Sequence, residues 1–264
     1  MELEYLGYFL SILIGISLSL VGSGGSILCI PILVYLFKIP PELATSYSLF
    51  IVGISSFFGS CKNCKSGNIN FKTALLFGIP SIITLLIVRK FVYPIVPNTI
   101  GSINGILVSK NTLIMFILAI LMMLSSLSML YKEEQKEIEA QKPNFVLLII
   151  GGIFIGILTG FLGAGGGFLI IPALMYFANL KMTEAVGTSL FIILLNSIIG
   201  FTGDFLNGIT LDYTLLISIT IISILGMFVG FFLSKKIDGK SLKPAFGWFL
   251  MVFSFYIIIK ELFF

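Results

Sequence analysis

Long hydrophobic stretches, separated by short polar segments, run through the whole chain. They cover residues 5–21, 27–37, 43–60, 73–88, 111–131, 145–162, 168–180, 185–202, 213–234 and 245–263. A bilayer core about 30 Å thick requires about 20 apolar residues in a helix that crosses it. The pattern therefore predicts an all-α polytopic membrane protein, with about four to five helical segments in each half.

The two halves share one sequence pattern. A shift of 141 positions matches Gly22 with Gly163, Pro31 with Pro172, Ser48 with Ser189, Ser56 with Ser197, and Gly59 with Gly200. Apolar composition produces chance matches of leucine and isoleucine, but not of these residues, so the pattern indicates a duplication. The expected organisation is a first transmembrane repeat at 1–131, a charged linker at 132–144 and a second repeat at 145–264.

Glycines interrupt the first apolar region of each repeat. If each region crosses the membrane once, the repeats are parallel; if each bends back as a hairpin, they are inverted. The inverted arrangement divides the 16 basic residues eleven against five, and the parallel one nine against seven. The positive-inside rule favours the uneven division. We therefore expect inverted repeats in the plasma membrane, with the glycine breaks meeting near the midplane and both termini outside.

Residues 91–110 are apolar, but Pro94, Pro97, Gly101 and Gly105 make them a poor helix. We expect an interfacial or re-entrant connection there.

The glycine breaks are the candidate binding site for a solute. Backbone at membrane depth must line a cavity or be buried in protein. The helix that follows each break has unpaired N–H groups in its first turn and a positive dipole end, which together attract anions. We expect an anion site built without any buried lysine or arginine. Close helix packing is the alternative role for these glycines.

A second polar set follows each break, on the next helix of each half. These side chains can donate hydrogen bonds to an anion, or instead cap backbone and bridge helices. Together with the breaks, they give the candidate substrate-binding residues Gly24, Gly25, Ser26, Ser48, Gly165, Gly166, Gly167, Thr188, Ser189 and Asn196.

Composition narrows the possible functions. With 58% hydrophobic and 11% charged residues, the chain cannot cover a water-facing surface, which argues against soluble enzymes and nucleic-acid binding. Histidine is absent, so no imidazole is available for a catalytic, haem or zinc site. Cys61 and Cys64 in a polar loop are a weak redox or metal motif. Asp204, near an apolar end, is either a proton-coupling group or part of a solvated loop.

The segments Gly22-Ser-Gly-Gly-Ser-Ile-Leu-Cys-Ile-Pro31 and Gly163-Ala-Gly-Gly-Gly-Phe-Leu-Ile-Ile-Pro172 resemble the paired signature of the TauE/SafE family of sulfite and organosulfonate permeases. Residues 44–50 and 185–191 resemble its downstream segment. The resemblance covers nearly the whole chain and implies a transporter of sulfur-containing anions.

The resulting hypothesis is a secondary transporter of small anions, such as sulfite, organosulfonates or related sulfur oxyanions, that works by alternating access around the two breaks. It needs a bilayer, with proton or sodium coupling and a homodimer as open possibilities, and no cofactor, metal or nucleic acid. It is not an enzyme. The alternative is an ion channel or cation permease, which requires midplane carboxylates or carbonyls.

Overall fold

Each apolar stretch forms a helix in the computed structural model, which describes residues 2–22, 24–97, 99–103, 106–130, 144–163, 166–234 and 239–263. The elements of the first half are α1 (Glu2–Val21), α2 (Gly24–Tyr35), α3 (Pro41–Lys65), α4 (Phe71–Ile87), a π-helical turn (Val88–Val92), α5 (Tyr93–Ile95), β1 (Thr99–Ile103), β2 (Ile106–Ser109) and α6 (Lys110–Leu130). Those of the second half are α7 (Phe145–Leu162), α8 (Gly167–Ala178), α9 (Met182–Leu206), α10 (Tyr213–Leu233) and α11 (Gly239–Phe263). The linker at 132–143 lies outside the described residues.

Six helices in the described part of the chain are long and apolar enough to cross a membrane. They are α3, α6, α7, α9, α10 and the continuous helix from Phe71 to Ile95 that α4, the π turn and α5 form together. The helices α1, α2 and α8 contribute shorter apolar segments. The prediction of an all-α polytopic membrane protein is confirmed.

The helices α3 and α9 are equivalent under the 141-residue shift, and they pack against each other in opposite directions. Their contacts join Leu49 to Gly200, Gly53 to Ser197 and Gly59 to Leu190. Residue numbers rise on α3 as they fall on α9, so the pair is antiparallel. One residue of each contact pair is a glycine, and its lack of a side chain lets the helices approach closely.

The first helix of each half packs on the other half. Helix α1 lies along α10, where Gly15 meets the backbone of Ser223, and α7 lies along α4, where Gly156 meets the backbone of Ser81. Gly15 and Gly156 are equivalent positions. Because each half gives its first helix to the other, the hydrophobic core lies between the halves rather than within either one.

The contacts also separate two ends of the molecule. At one end, called here the terminal face, the ring of Tyr8 contacts Phe37 at 5.0 Å, and Tyr35 donates a hydrogen bond to Glu261. At the opposite face, Lys62 lies over the ring of Phe231 at 3.5 Å. The beginning of α1 and the end of α11 therefore lie together, away from the end of α3.

The connection at 91–110 is more regular than its prolines and glycines predict. After the π turn and α5, β1 and β2 form an antiparallel hairpin, with Ile103 paired to Ile106 and Thr99 to Ser109. A hairpin satisfies the backbone groups of both strands across one ladder, which a loose apolar loop cannot do.

Gly156 and Gly78 allow a direct test of this packing. A methyl group at Gly156 would lie 2.9 Å from Cβ of Thr84 and would strike the backbone of Ser81, whereas one at Gly78 would meet only Ile192, at 3.8 Å. We expect Gly156→Ala to destabilise the protein by about 1–3 kcal/mol through overpacking. Gly78→Ala should be neutral or slightly stabilising, because alanine favours a helix more than glycine does.

Thermal unfolding of the two purified variants in detergent measures the difference. Equal midpoints for Gly156→Ala and Gly78→Ala would contradict the close approach of α7 to α4.

Candidate functional site

The chain turns back on itself at a glycine break in each half. The first break follows Gly22, which has φ +69°, and the second lies between Gly163 and Gly166, which both have φ +67°. Only glycine adopts these left-handed angles without strain. After each turn, the short helix folds back along the helix before it, so that α1 with α2, and α7 with α8, form two helical hairpins.

The two hairpins close through equivalent contacts. Gly25 packs against Ile14 and Leu18 of α1, and Gly166 packs against Ile155 and Thr159 of α7. These are matching positions under the 141-residue shift. A side chain on either glycine would overlap the facing helix, so both glycines serve close packing within their hairpin.

A serine of the opposite half holds the carbonyl at each break. The Ser48 hydroxyl of α3 donates to the Gly163 carbonyl, and the Ser189 hydroxyl of α9 donates to the Gly22 carbonyl at 3.2 Å. Both serines are fully buried. Each hydroxyl also faces a carbonyl of its own helix, that of Thr45 at 3.0 Å from Ser48 and that of Val186 at 2.9 Å from Ser189. A hydroxyl has one proton to donate, so in this conformation both serines bond backbone carbonyls at the breaks rather than a solute.

The other polar residues of α3 and α9 make similar exchanges between the halves. Thr188 accepts the backbone N–H of Asn70 at 3.0 Å, while Tyr47 at the equivalent position accepts that of Asp212. Asn70 and Asp212 are the N-caps of α4 and α10. The Asn196 amide donates to Ser81 at 2.8 Å. Thr188 and Asn196 thus join helices from different halves.

The two breaks approach the α3–α9 crossing from opposite sides. Ser48 lies before the contact region on α3, and Ser189 lies before it on α9. Because the two helices are antiparallel, these serines, and the breaks they bond, lie at opposite ends of the contact region. Between the breaks α2 contacts α8, and Gly22 lies against Ile171 of α8. A single midplane site shared by both breaks stays a prediction.

Buried polar groups without partners converge on the second break. Nη2 of Arg89 lies 2.8 Å from the position that a Cβ atom on Gly163 would occupy. Oγ1 of Thr159 lies 2.5 Å from the corresponding Cβ position on Gly166. Among the described residues, Nε and Nη2 of Arg89 and Oγ1 of Thr159 have no hydrogen-bond partner. The side chain of Arg89 is only 10% exposed.

Arg89 also forms an ion pair. Its Nη1 donates to Oδ2 of Asp204, which accepts a second hydrogen bond from the Ser46 hydroxyl. Arg89 belongs to the π turn, a distortion often found at functional sites. A second pair lies at the same end, where Lys110 donates to Glu42 at 3.1 Å.

The first break has no such chemistry. The residues equivalent to Thr159, Arg89, Thr45, Ser46 and Asp204 are Leu18, Gly230, Val186, Gly187 and Asn63. Gly22 accordingly lies against the apolar side chains of Val186 and Ile171. The two halves agree in backbone and packing, but among the described residues the charged pair lies at the second break.

The structure corrects three expectations from the sequence. Asp204 lies in the last turn of α9 and is paired, so its assignment to a solvated loop is wrong. The expectation of a site without any buried basic residue is wrong as well, because Arg89 is nearly buried beside Gly163. Cys61 and Cys64 belong to the last turns of α3 rather than to a loop.

The remaining candidate residues fall as follows. Gly24 begins α2, Ser26 is buried within it, and Gly167 begins α8. Gly165 lies outside the described residues. The sequence analysis missed Arg89 and Thr159. The repeat alignment contained a signal for both, because it matches each of these polar residues with a residue that is not polar, Gly230 and Leu18.

The model of the sulfite exporter TauE/SafE family matches residues 8–257. The chain is 29% identical over 234 residues to a probable membrane transporter protein, YdhB, of Bacillus subtilis, covering 88% of this chain and 91% of the relative. It is 25% identical over 256 residues to a probable membrane transporter protein of Xylella fastidiosa, covering 94% and 92%.

A third relative is the probable membrane transporter protein MJ0441 of Methanocaldococcus jannaschii, 32% identical over 193 residues, or 71% of this chain and 67% of the relative. No solved structure matches the chain. These relatives are described as transporters, not as enzymes, and the apolar helices agree with a multi-pass membrane protein. The chain belongs to the TauE/SafE family of membrane transporters.

Proposed function

We propose that the protein is a secondary transporter of small anions, with sulfite, organosulfonates and related sulfur oxyanions as substrates. The anion binds at the second break, between the start of α8 and the side chains of Arg89 and Thr159. Gly166 and Gly167 provide the backbone N–H groups there, and the alternating-access motion changes which side this break faces.

The observation that carries the proposal is the set of unpartnered donors at the second break. An unpaired buried polar group costs about 1–3 kcal/mol, and more if it is charged. Arg89 offers two such N–H groups and Thr159 one hydroxyl, beside a helix N-terminus. An oxyanion accepts all of these bonds at once, and Arg89 presents them in a planar fork that suits oxygen pairs. These unpartnered groups are hydrogen-bond donors, which suit an anion rather than a cation and argue against a cation permease.

The packing supports alternating access by opposed halves. Equivalent helices α3 and α9 are antiparallel, and each break is bonded to the helix of the other half. We infer inverted repeats in the bilayer, a common architecture of secondary transporters. A tilt of α3 against α9 then moves both breaks together.

Substitutions at the second break test the binding role. We expect Arg89→Gln to reduce sulfite or sulfonate exchange in proteoliposomes by about 10–100-fold, since it removes a charge-assisted bond. Thr159→Val keeps the side-chain shape and should reduce exchange by about fivefold, the value of one neutral hydrogen bond.

Matched controls come from equivalent and neighbouring positions. Leu18→Val should leave exchange close to wild type, because it changes the first break and the proposed anion site lies at the second. Lys90→Gln beside Arg89 should do the same, because Lys90 is exposed. Full activity of Arg89→Gln would overturn the anion site. Faster cation flux in that variant would support the permease alternative instead.

The orientation is tested by labelling cysteines in intact cells. The positive-inside rule places the opposite face, with Cys61 and Cys64, in the cytoplasm, and both are exposed. A membrane-impermeant maleimide should label them only after permeabilisation. In a Cys61→Ser, Cys64→Ser background, Asn207→Cys follows α9 at the terminal face and should be labelled from outside. Labelling of both positions from one side would reject this topology.

A further inference from the structure

We infer that Asp204 carries the coupling proton: it neutralises Arg89 while the site is empty, and it is protonated when the anion takes its place. The inference rests on the proposed anion site at the second break. It assigns the driving ion and a stoichiometry of one proton for each singly charged anion.

The geometry places the carboxylate and the vacant donors on one guanidinium. Nη1 of Arg89 is bonded to Asp204, while Nε and Nη2 have no partner among the described residues. The Asp204 side chain is 13% exposed and lies in the last turn of α9, next to the exposed Asn207, so it is shielded but close to the terminal face. The Ser46 hydroxyl also donates to Asp204 and fixes the carboxylate to α3.

Charge balance then requires the proton. The empty site contains one positive and one negative group and is neutral. An added anion makes it negative, and a net charge buried in a low-dielectric medium is costly. A proton from solution that adds to a carboxylate oxygen of Asp204 breaks the ion pair and restores neutrality. The anion then accepts the N–H groups of Arg89, and both the proton and the anion leave on the other side.

The other charged groups at this end do not replace Asp204. Glu42 is paired with Lys110, whose ammonium also lies over the ring of Tyr93 at 3.6 Å. Lys90 is exposed, with its ammonium over the ring of Phe91. Asp212 is exposed and caps α10 through Leu215, while its backbone N–H donates to Tyr47. Asp204 is the carboxylate in direct contact with Arg89.

The test uses Asp204→Asn and separates exchange from net transport. Asparagine leaves the loaded site neutral but the empty site with an unpaired buried cation, which is strongly unfavourable. Anion-for-anion exchange empties the site only briefly on each side and does not require the empty site to return across the membrane, so it should stay within about twofold of wild type. Net uptake, which requires return of the empty site, should fall about tenfold or more.

The measurement uses purified full-length protein in proteoliposomes with isethionate, a sulfonate whose charge is constant over the physiological pH range. In the wild type, an inward gradient of about one pH unit should drive about tenfold accumulation without net charge movement. Asp204→Asn should lose this accumulation. Asp212→Asn is the matched control, because asparagine also caps a helix, and it should behave as wild type.

The outcomes distinguish this inference from the proposed function. If wild-type protein exchanges neither isethionate nor sulfite, the anion site itself is rejected. If Arg89→Gln abolishes exchange but Asp204→Asn keeps proton-driven uptake, only the coupling role is overturned. If a folded Asp204→Asn protein loses exchange and net uptake equally, the ion pair is structural and the inference is overturned.

Discussion

The architecture depends on satisfying the backbone where the two hairpins turn inside an apolar protein. A carbonyl left unpaired in lipid costs several kcal/mol. Ser48 and Ser189 meet this requirement from the opposite half, at equivalent positions of α3 and α9. The turns can therefore exist only when both halves are assembled. This explains why Ser48 and Ser189 are buried in helices that are largely apolar.

The same bonds connect the fold to the proposed transport motion. Each hairpin packs on the other half through its first helix and is bonded to that same half by a serine, so relative motion of the halves must carry the breaks with it. Glycine at the crossing, as at Gly53 and Gly59, keeps α3 and α9 close enough for such motion to be shared. The hairpins would then move as rigid units, as expected of packed helices with two stable arrangements.

Hydrophobic pattern and duplication were sufficient to predict the helices, the breaks and the polar residues near them. They could not predict the partners, because Ser48 and Gly163 are 115 positions apart and Ser189 and Gly22 are 167 apart. Arg89 and its pairing with Asp204 were missed for a different reason. The apolar stretches end at about 88 and 202, but the helices continue to Ile95 and Leu206. This extension buries two charges that hydropathy alone assigns to loops.

If the anion binds at the second break as proposed, the contrast between the breaks explains how a duplicated fold handles one anion at a time. Two symmetric charged sites would bury two cations and two carboxylates, each with a large desolvation cost. Here Val186 and Leu18 make the first break apolar, while Arg89, Asp204 and Thr159 concentrate the charge at the second. The first hairpin packs as the second one does, so the antiparallel crossing of α3 and α9 is symmetric. Because its break is apolar, it adds no second desolvation cost for buried ions. In the proposed mechanism, divergence of these few positions preserves the mechanical symmetry that alternating access needs, while it restricts anion binding to one side of the crossing.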